Sequence, residues 1–300
     1  MNNQFKEICL KAEEGMTYEV TQQGDSLLIR AISLAAATGE NDEYSYDNPI
    51  IPEGYTHIEG EWNNGFIIQD ERGNQFVWIP VGNLPANGTL NGKKFDSRFG
   101  RRNYRNNEFS KGEYHEDMDD SLKEQVESVK KYGGFYISRY AVSKGDDELY
   151  YSIKGKMPLT SINFGDSLTA AQKLGQGIVT SHMVFGAEYD SVLAWFMETG
   201  KTENDISKDS TAFGNYWNCA NSPQKVVETG SREEWKVNGI YDLAGNVWEW
   251  TQEANDSSRR TLRGGSYSYD GYNCPVAYRS YLSTYNYSGY VGFRVSLYIK

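Results

Sequence analysis

The chain has 300 residues and a formal net charge of −11. That balance argues against holding nucleic acid by counterion release and against a polybasic membrane-surface binder, so no nucleic-acid partner is expected. Aromatic residues make up 14% of the chain and 23 residues are Tyr, the aromatic that tolerates a wet surface while offering apolar area and a hydroxyl, which favours recognition surface over extra core.

The N-terminus, NQFKEICLKAEEG, puts Phe5, Ile8, Cys9 and Ala12 on one helical stripe that Gly15 closes. MTYEVTQQGDSLLIRAISLAA then reads as a strand, a turn at Gln23 to Asp25 and a second apolar run. That run is broken by Arg30 and too short to span a bilayer, and no charged-then-apolar leader precedes it, so a chain without a Sec signal or membrane insertion is expected. The acidic, turn-rich TGENDEYSYDNP is the linker candidate. The expected organisation is a small N-terminal lobe over 1–48, serving attachment or homo-oligomerisation, and a second domain over 49–300.

From Ile51 the pattern changes to short alternating runs separated by the Asn63-Asn64-Gly65 and Arg72-Gly73-Asn74 turns, which predicts hairpins. A polar loop over 83–112 follows, carrying Arg98, Arg101, Arg102 and Arg105, read as solvated or internally paired cations. DDSLKEQVESVKKYGGFYISRYAVS predicts a helix with Ser121 and Glu124 as a capping box, Leu122, Val126 and Val129 on its buried face, an end at Gly133-Gly134, and a strand over 135–142. The acidic EDMDD before it, with Asp117, Asp119 and Asp120, reads as a solvated helix start. A second helix in AEYDSVLAWFMETG buries Tyr189, Val192, Leu193 and Phe196 and stops at Gly200. Beyond Gly200 regular periodicity nearly vanishes.

Chemistry-bearing patterns are sparse. Cys9, Cys219 and Cys274 are widely spaced and His57, His115 and His182 are isolated, which implies neither a disulfide framework nor a multi-histidine metal site. No G-x-S-x-G, Walker loop or H-E-x-x-H occurs. The dense feature is C-terminal: Ser266 to Tyr290 holds eight tyrosines interleaved with Ser, Asn, Asp and Gly, the composition of an antibody paratope.

The ordered triplet GIYDLAGNVWEWTQE, RTLRGGSY and GFRVSL resembles the C-terminal half of the formylglycine-generating enzyme (sulfatase-modifying factor) family, and FVWIPVG, GGFYISRYAVS and MPLTSINFGDSLTAAQKL are similar to its preceding elements. The resemblance implies an α+β fold of the C-type-lectin-like kind with much irregular structure. It also implies that Arg263, Gly264, Gly265, Ala277, Arg279, Gly292, Phe293 and Arg294 are scaffold. The family's enzymes oxidise a substrate cysteine with copper held by two thiolates, and soft thiolates are what Cu(I) requires. With Arg279 taken as the arginine that follows that pair, the matching positions here are Gly271 and Val276, neither of which can ligate copper. Cys274 is single, so no catalytic residue is assigned. The ergothioneine-forming branch of this fold needs a three-histidine iron site that this chain lacks. Family members often bind structural calcium around the motif matched by AGNVWEW, which implies Asn246, Val247 and Glu249 as ligands of at most one ion; no other cofactor is expected.

The same segment is similar in pattern to the variable region of the variable proteins of diversity-generating retroelements, which places a variable region at 266–290. The expected function is non-catalytic binding of a protein or glycan receptor, on a phage virion or in the bacterial cytoplasm. The expected contact residues are Tyr269, Asp270, Tyr272, Asn273, Tyr278, Ser280, Tyr281, Tyr285, Tyr287 and Tyr290. A copper-dependent formylglycine-generating oxidase and a structural virion component are the alternatives.

Overall fold

The computed structural model describes residues 16–23, 26–33, 44–81, 99–100, 104, 120–175, 177 and 179–299. The helix expected before Gly15, the four arginines of the basic loop, and Asp117 and Asp119 lie outside them. The chain divides into two compact units, Met1–Tyr44 and Ser45–Lys300. In the first, β1 (Met16–Gln23) and β2 (Ser26–Ser33) pair antiparallel with Met16 opposite Ser33, the hairpin that the two apolar runs predict.

The second unit opens with β3 (Tyr55–Glu59), β4 (Ile67–Asp70) and β5 (Gln75–Pro80), a meander whose reversals fall at the two Gly-bearing turns. At the second turn Asp70 Oδ1 accepts from the backbone N–H groups of Arg72 and Asn74, at 2.9 and 2.8 Å. This Asx geometry lets the chain reverse without leaving buried donors unpaired. Helix α1 (Asp120–Tyr132) buries Leu122, Val126 and Val129 as its spacing requires. It begins before Ser121, so that residue lies inside the first turn and is not the cap that the Ser-x-x-Glu pattern suggests. Strand β6 (Gly134–Ser138) starts on the glycine itself, because a Cβ there would run into the Trp78 ring, and it ends four residues short of the expected boundary.

Short β7 (Ser143–Lys144) and β8 (Tyr150–Tyr151) are followed by α2 (Phe164–Ala171), whose Asn163 cap accepts from Asp166 N at 2.9 Å. Then come β9 (Val179–Met183), the central helix α3 (Gly186–Glu198) and α4 (Glu203–Ser207). The remainder alternates loops with β10 (Lys236–Val237), β11 (Ile240–Tyr241), β12 (Trp248–Ala254), β13 (Arg259–Arg263), β14 (Ser280–Ser283), β15 (Val291–Phe293) and β16 (Val295–Ile299).

Two sheets organise this unit. One has the order β3-β4-β5-β6-β16-β9, so the last strand of the chain is inserted between two earlier ones. The other has the order β14-β13-β12-β15, antiparallel except for the parallel pair β12 and β15. The core includes Val192, Leu193, Trp195 and Phe196 of α3 with Val77, Ile79, Phe135 and Ile137 of the larger sheet. Among the described residues no helix is long and apolar enough to cross a membrane.

Candidate functional site

Between Arg263 and Arg294 the chain leaves the smaller sheet, loops through 264–279, returns as β14, loops again and ends as β15. Its anchors are buried charges. Arg263 donates from Nη2 to Asp190 Oδ1 at 2.6 Å and stacks over the Tyr189 ring, 4.4 Å from its centroid. Arg279 donates from Nε to Glu253 at 3.0 Å and from Nη2 to the other Asp190 oxygen. All four side chains are fully buried and their charges cancel, two arginines against two carboxylates. Arg294 closes the segment by pairing with Glu249 at 3.0 Å and donating to the carbonyls of Ser138 and Tyr241 at 2.7 and 2.8 Å. Burial pushes the Glu249 carboxyl above the usual carboxylate range, with Arg294 opposing it.

Between the anchors the same chain turns outward. Every expected contact residue is exposed or half-buried, and Tyr285 is the most open at 83%. Tyr269 meets Trp248 edge-on with centroids 5.6 Å apart, Tyr278 lies 6.1 Å from Trp248, and Tyr290 lies 6.4 Å from Tyr269. Desolvation, with the Tyr290 hydroxyl beside it, pushes the Tyr269 phenol above its usual range. Tyr281 and Ser280 lie on edge strand β14, with the Arg259 guanidinium 4.3 Å from the Tyr281 ring centroid. Tyr287 accepts from Asn163 at 2.6 Å at the start of α2.

Asp270, Tyr272 and Asn273 form a separate turn. Asp270 accepts from the backbone N–H groups of Tyr272 and Asn273 and from the Asn273 amide, at 3.1, 2.7 and 2.8 Å. Partial desolvation would raise this carboxyl, but those donors outweigh it and hold it below its usual value. The polar groups of Asp270 and Asn273 thus shape the turn, while the Tyr272 ring stays open. No ring contact among the described residues joins Tyr272 or Tyr285 to the Trp248 trio.

Trp217 extends this surface from outside the segment. It is 56% exposed, its N–H donates to Tyr269 O at 2.8 Å, and neighbouring Asn218 accepts from Gly271 N at 3.0 Å. In sequence it sits in an Asn-rich loop with no periodicity, so the only signal was an aromatic in a turn.

Neither position that matches the copper thiolates offers a thiolate, and only one has room for a side chain. A Cβ on Gly271 would come within 2.6 Å of Thr211 Oγ1, and Val276 is fully buried with its N–H on Ser210 Oγ at 2.9 Å. The expected calcium ligands are also committed elsewhere. Asn246 Oδ1 accepts from Val227 N and Asn215 Nδ2, both at 3.0 Å, and Glu249 is held by Arg294. A hard cation needs six or more oxygens converging on it. Here the side-chain oxygens of Asn246 and Glu249 already accept from N–H donors and Val247 can offer only its backbone carbonyl, which does not make a calcium cage. No group of three or more His, Cys, Asp or Glu able to hold a metal occurs among the described residues.

Among solved structures, the chain is similar to Treponema denticola variable protein 1 (TM-score 0.44, 15% identity, covering 82% of this chain and 99% of that one). It is also similar to PvdO from Pseudomonas aeruginosa (TM-score 0.47, 13% identity, 79% and 99%). A third similar structure is CarF (TM-score 0.45, 14% identity, 75% and 98%). No curated protein matches. Residues 146–298 match the sulfatase-modifying factor enzyme 1-like domain, which spans β12 and its buried partners, both anchor arginines of the 263–279 loop, and Arg294. Over more than half of its length the chain carries that domain on a mixed α+β, C-type-lectin-like fold, and it belongs to the sulfatase-modifying factor enzyme 1-like family.

Proposed function

We propose that this protein is a non-catalytic binder that presents the 266–290 segment to a protein partner as a diversified recognition surface. One observation carries the reading: six exposed tyrosines, Tyr269, Tyr272, Tyr281, Tyr285, Tyr287 and Tyr290, lie on the loops and edge strand between fully buried arginines. Tyr supplies large, semi-rigid contact area at low entropic cost, and the intervening Ser, Asn and Gly supply adaptable hydrogen bonds. Because the anchors do not depend on what the tyrosines touch, residues between them can change without unfolding the domain. The absence of side-chain space at Gly271 supports binding over thiolate-copper oxidation.

Sequencing the same locus from several isolates tests this. Substitutions concentrated at Tyr269, Tyr272, Tyr281, Tyr285 and Tyr287, with Arg263, Arg279 and Arg294 unchanged, are expected. Uniform tyrosines at those positions would overturn diversified display.

A further inference from the structure

A cleft lies among residues that the tyrosine surface does not use. It has a volume of about 410 Å³ and is lined by Trp62, Asn63, Asn64, Trp195, Glu198 and Thr199. That is the size of a small-molecule site, and its chemistry is specific. One half-buried indole stands beside two primary amides and a carboxylate, and among the described residues no lysine or arginine lines the cleft. An anionic ligand therefore meets no counter-charge among the described lining residues. Trp195 is all but sealed into the core, so a cage of several open aromatic faces of the kind that holds a quaternary ammonium is not formed either. What remains is a flat aromatic platform with amides that both donate and accept, which suits a neutral, hydroxyl-rich ring.

The rim is built in advance of any ligand. Glu61 O accepts from Asn64 N and Gly65 N, both at 3.1 Å, and Asn64 Oδ1 accepts from Glu61 N at 2.8 Å, closing the tip that carries Trp62 and Asn63. A Cβ on Gly65 would lie 2.6 Å from Asn238 O, so this tip is pressed against the next loop. That loop in turn reaches the far wall, where Asn238 Nδ2 donates to Thr199 Oγ1 at 2.5 Å. The Trp62 ring is held edge-on by Tyr46, with centroids 5.4 Å apart at 79°. Thr199 Oγ1 donates to Trp195 O at 2.8 Å, so it is wall and not ligand donor. The Asn63 amide and Asn64 Nδ2 make no hydrogen bond among the described residues.

We propose that this cleft binds a single pyranose ring of a glycan, independently of the tyrosine-rich face. The electron-rich face of Trp62 takes the C–H face of the sugar, whose hydrogens carry partial positive charge. The Asn63 amide bonds to adjacent hydroxyls, and the Glu198 side lies across from it. A preformed rim keeps the ordering cost of binding low.

The test uses isotope-labelled full-length protein titrated with a panel of methyl glycosides (gluco, galacto, manno and N-acetylglucosamine forms), and separately with tetramethylammonium. The two-dimensional amide spectrum is read at the Trp62 indole N–H and the Asn63 side-chain amide. At least one glycoside is expected to shift both signals saturably, with an affinity at least about tenfold weaker in Trp62→Ala. Asn63→Ala, at an exposed loop tip, should weaken binding with the rest of the spectrum unchanged, and it stands in if the Trp62 variant does not fold. The proposal is overturned if no glycoside shifts these signals, if Asn63→Ala binds as the parent does, or if tetramethylammonium binds more tightly than every glycoside.

Discussion

Arg263, Arg279 and Arg294 are sealed from solvent beside carboxylates, whereas the tyrosines strung between them stand in water or against one another. The two regions share one stretch of chain but answer to different physics. A buried charge is tolerable only with its partners in place, which makes the anchors mutually dependent. An exposed aromatic contributes little to stability, so it can be exchanged. Shape is thus held by a few long-range ion pairs, and chemistry is left to loops that nothing else needs.

The sharpest way to break this contrast is to remove one anchor. Arg279→Leu leaves Asp190 and Glu253 buried with Arg263 alone, and losing one partner of such a network costs about 3–5 kcal/mol. Urea unfolding should show that loss, and a variant within about 1 kcal/mol of the parent would mean the network is not what holds the loops.

Next in size is a buried carboxylate that has no ion pair. Asp242 Oδ2 accepts from Gly230 N at 2.8 Å, while its Oδ1 has no partner. Burial pushes it from 3.8 up to about 6, against the pull of that N–H and of Arg294. The folded state therefore holds this proton more tightly than the unfolded chain. Its stabilisation is complete below 3.8 and is lost as pH rises to about 6, where the cost levels off near 3 kcal/mol. Asp242→Asn keeps the acceptor for Gly230 and suits the left-handed backbone at φ 56. It should flatten the stability profile across that window and raise stability above it, as chemical unfolding at a series of pH values would show.

A smaller effect tests the enzyme comparison. Gly271→Cys restores the side chain that a thiolate-copper site would need, but its Cβ meets Thr211. Overpacking of this kind costs about 1–3 kcal/mol. Thermal melts should report the loss, and an unchanged midpoint would mean that the loop can still accept a thiol.

Much of this was legible in the sequence where local rules suffice. The Gly-bearing turns located the meander of β3 to β5, and periodicity located α1 and α3. The three C-terminal motifs carried the fold because they hold close approaches of chain to chain, such as Gly265, where a Cβ would lie 2.6 Å from Tyr216. What could not be read was pairing at a distance. Glu249 looked like an oxygen ligand until Arg294, 45 positions away, was seen to hold it, and Asp190 serves two arginines more than 70 residues further on. Trp217 was missed for the same reason, since its place beside Tyr269 is set by a backbone hydrogen bond between loops that no periodicity connects.

The smallest stability effect belongs to the exposed rings, and it decides whether the contrast holds. Tyr285 and Tyr272, at 83% and 59% exposure, make no ring contact with the Trp248 trio. Replacing both with Ala should change unfolding free energy by no more than about 0.5 kcal/mol each, and additively, because they share no partner. Tyr269→Ala is the internal control, since its ring packs on Trp248 and Tyr290 and its loss should register in the same assay. If the outer pair proved as costly as Tyr269, those tyrosines would be part of the structure rather than its freely exchangeable surface. If both are silent, the segment can vary at its tips while its buried arginines keep the loops in place.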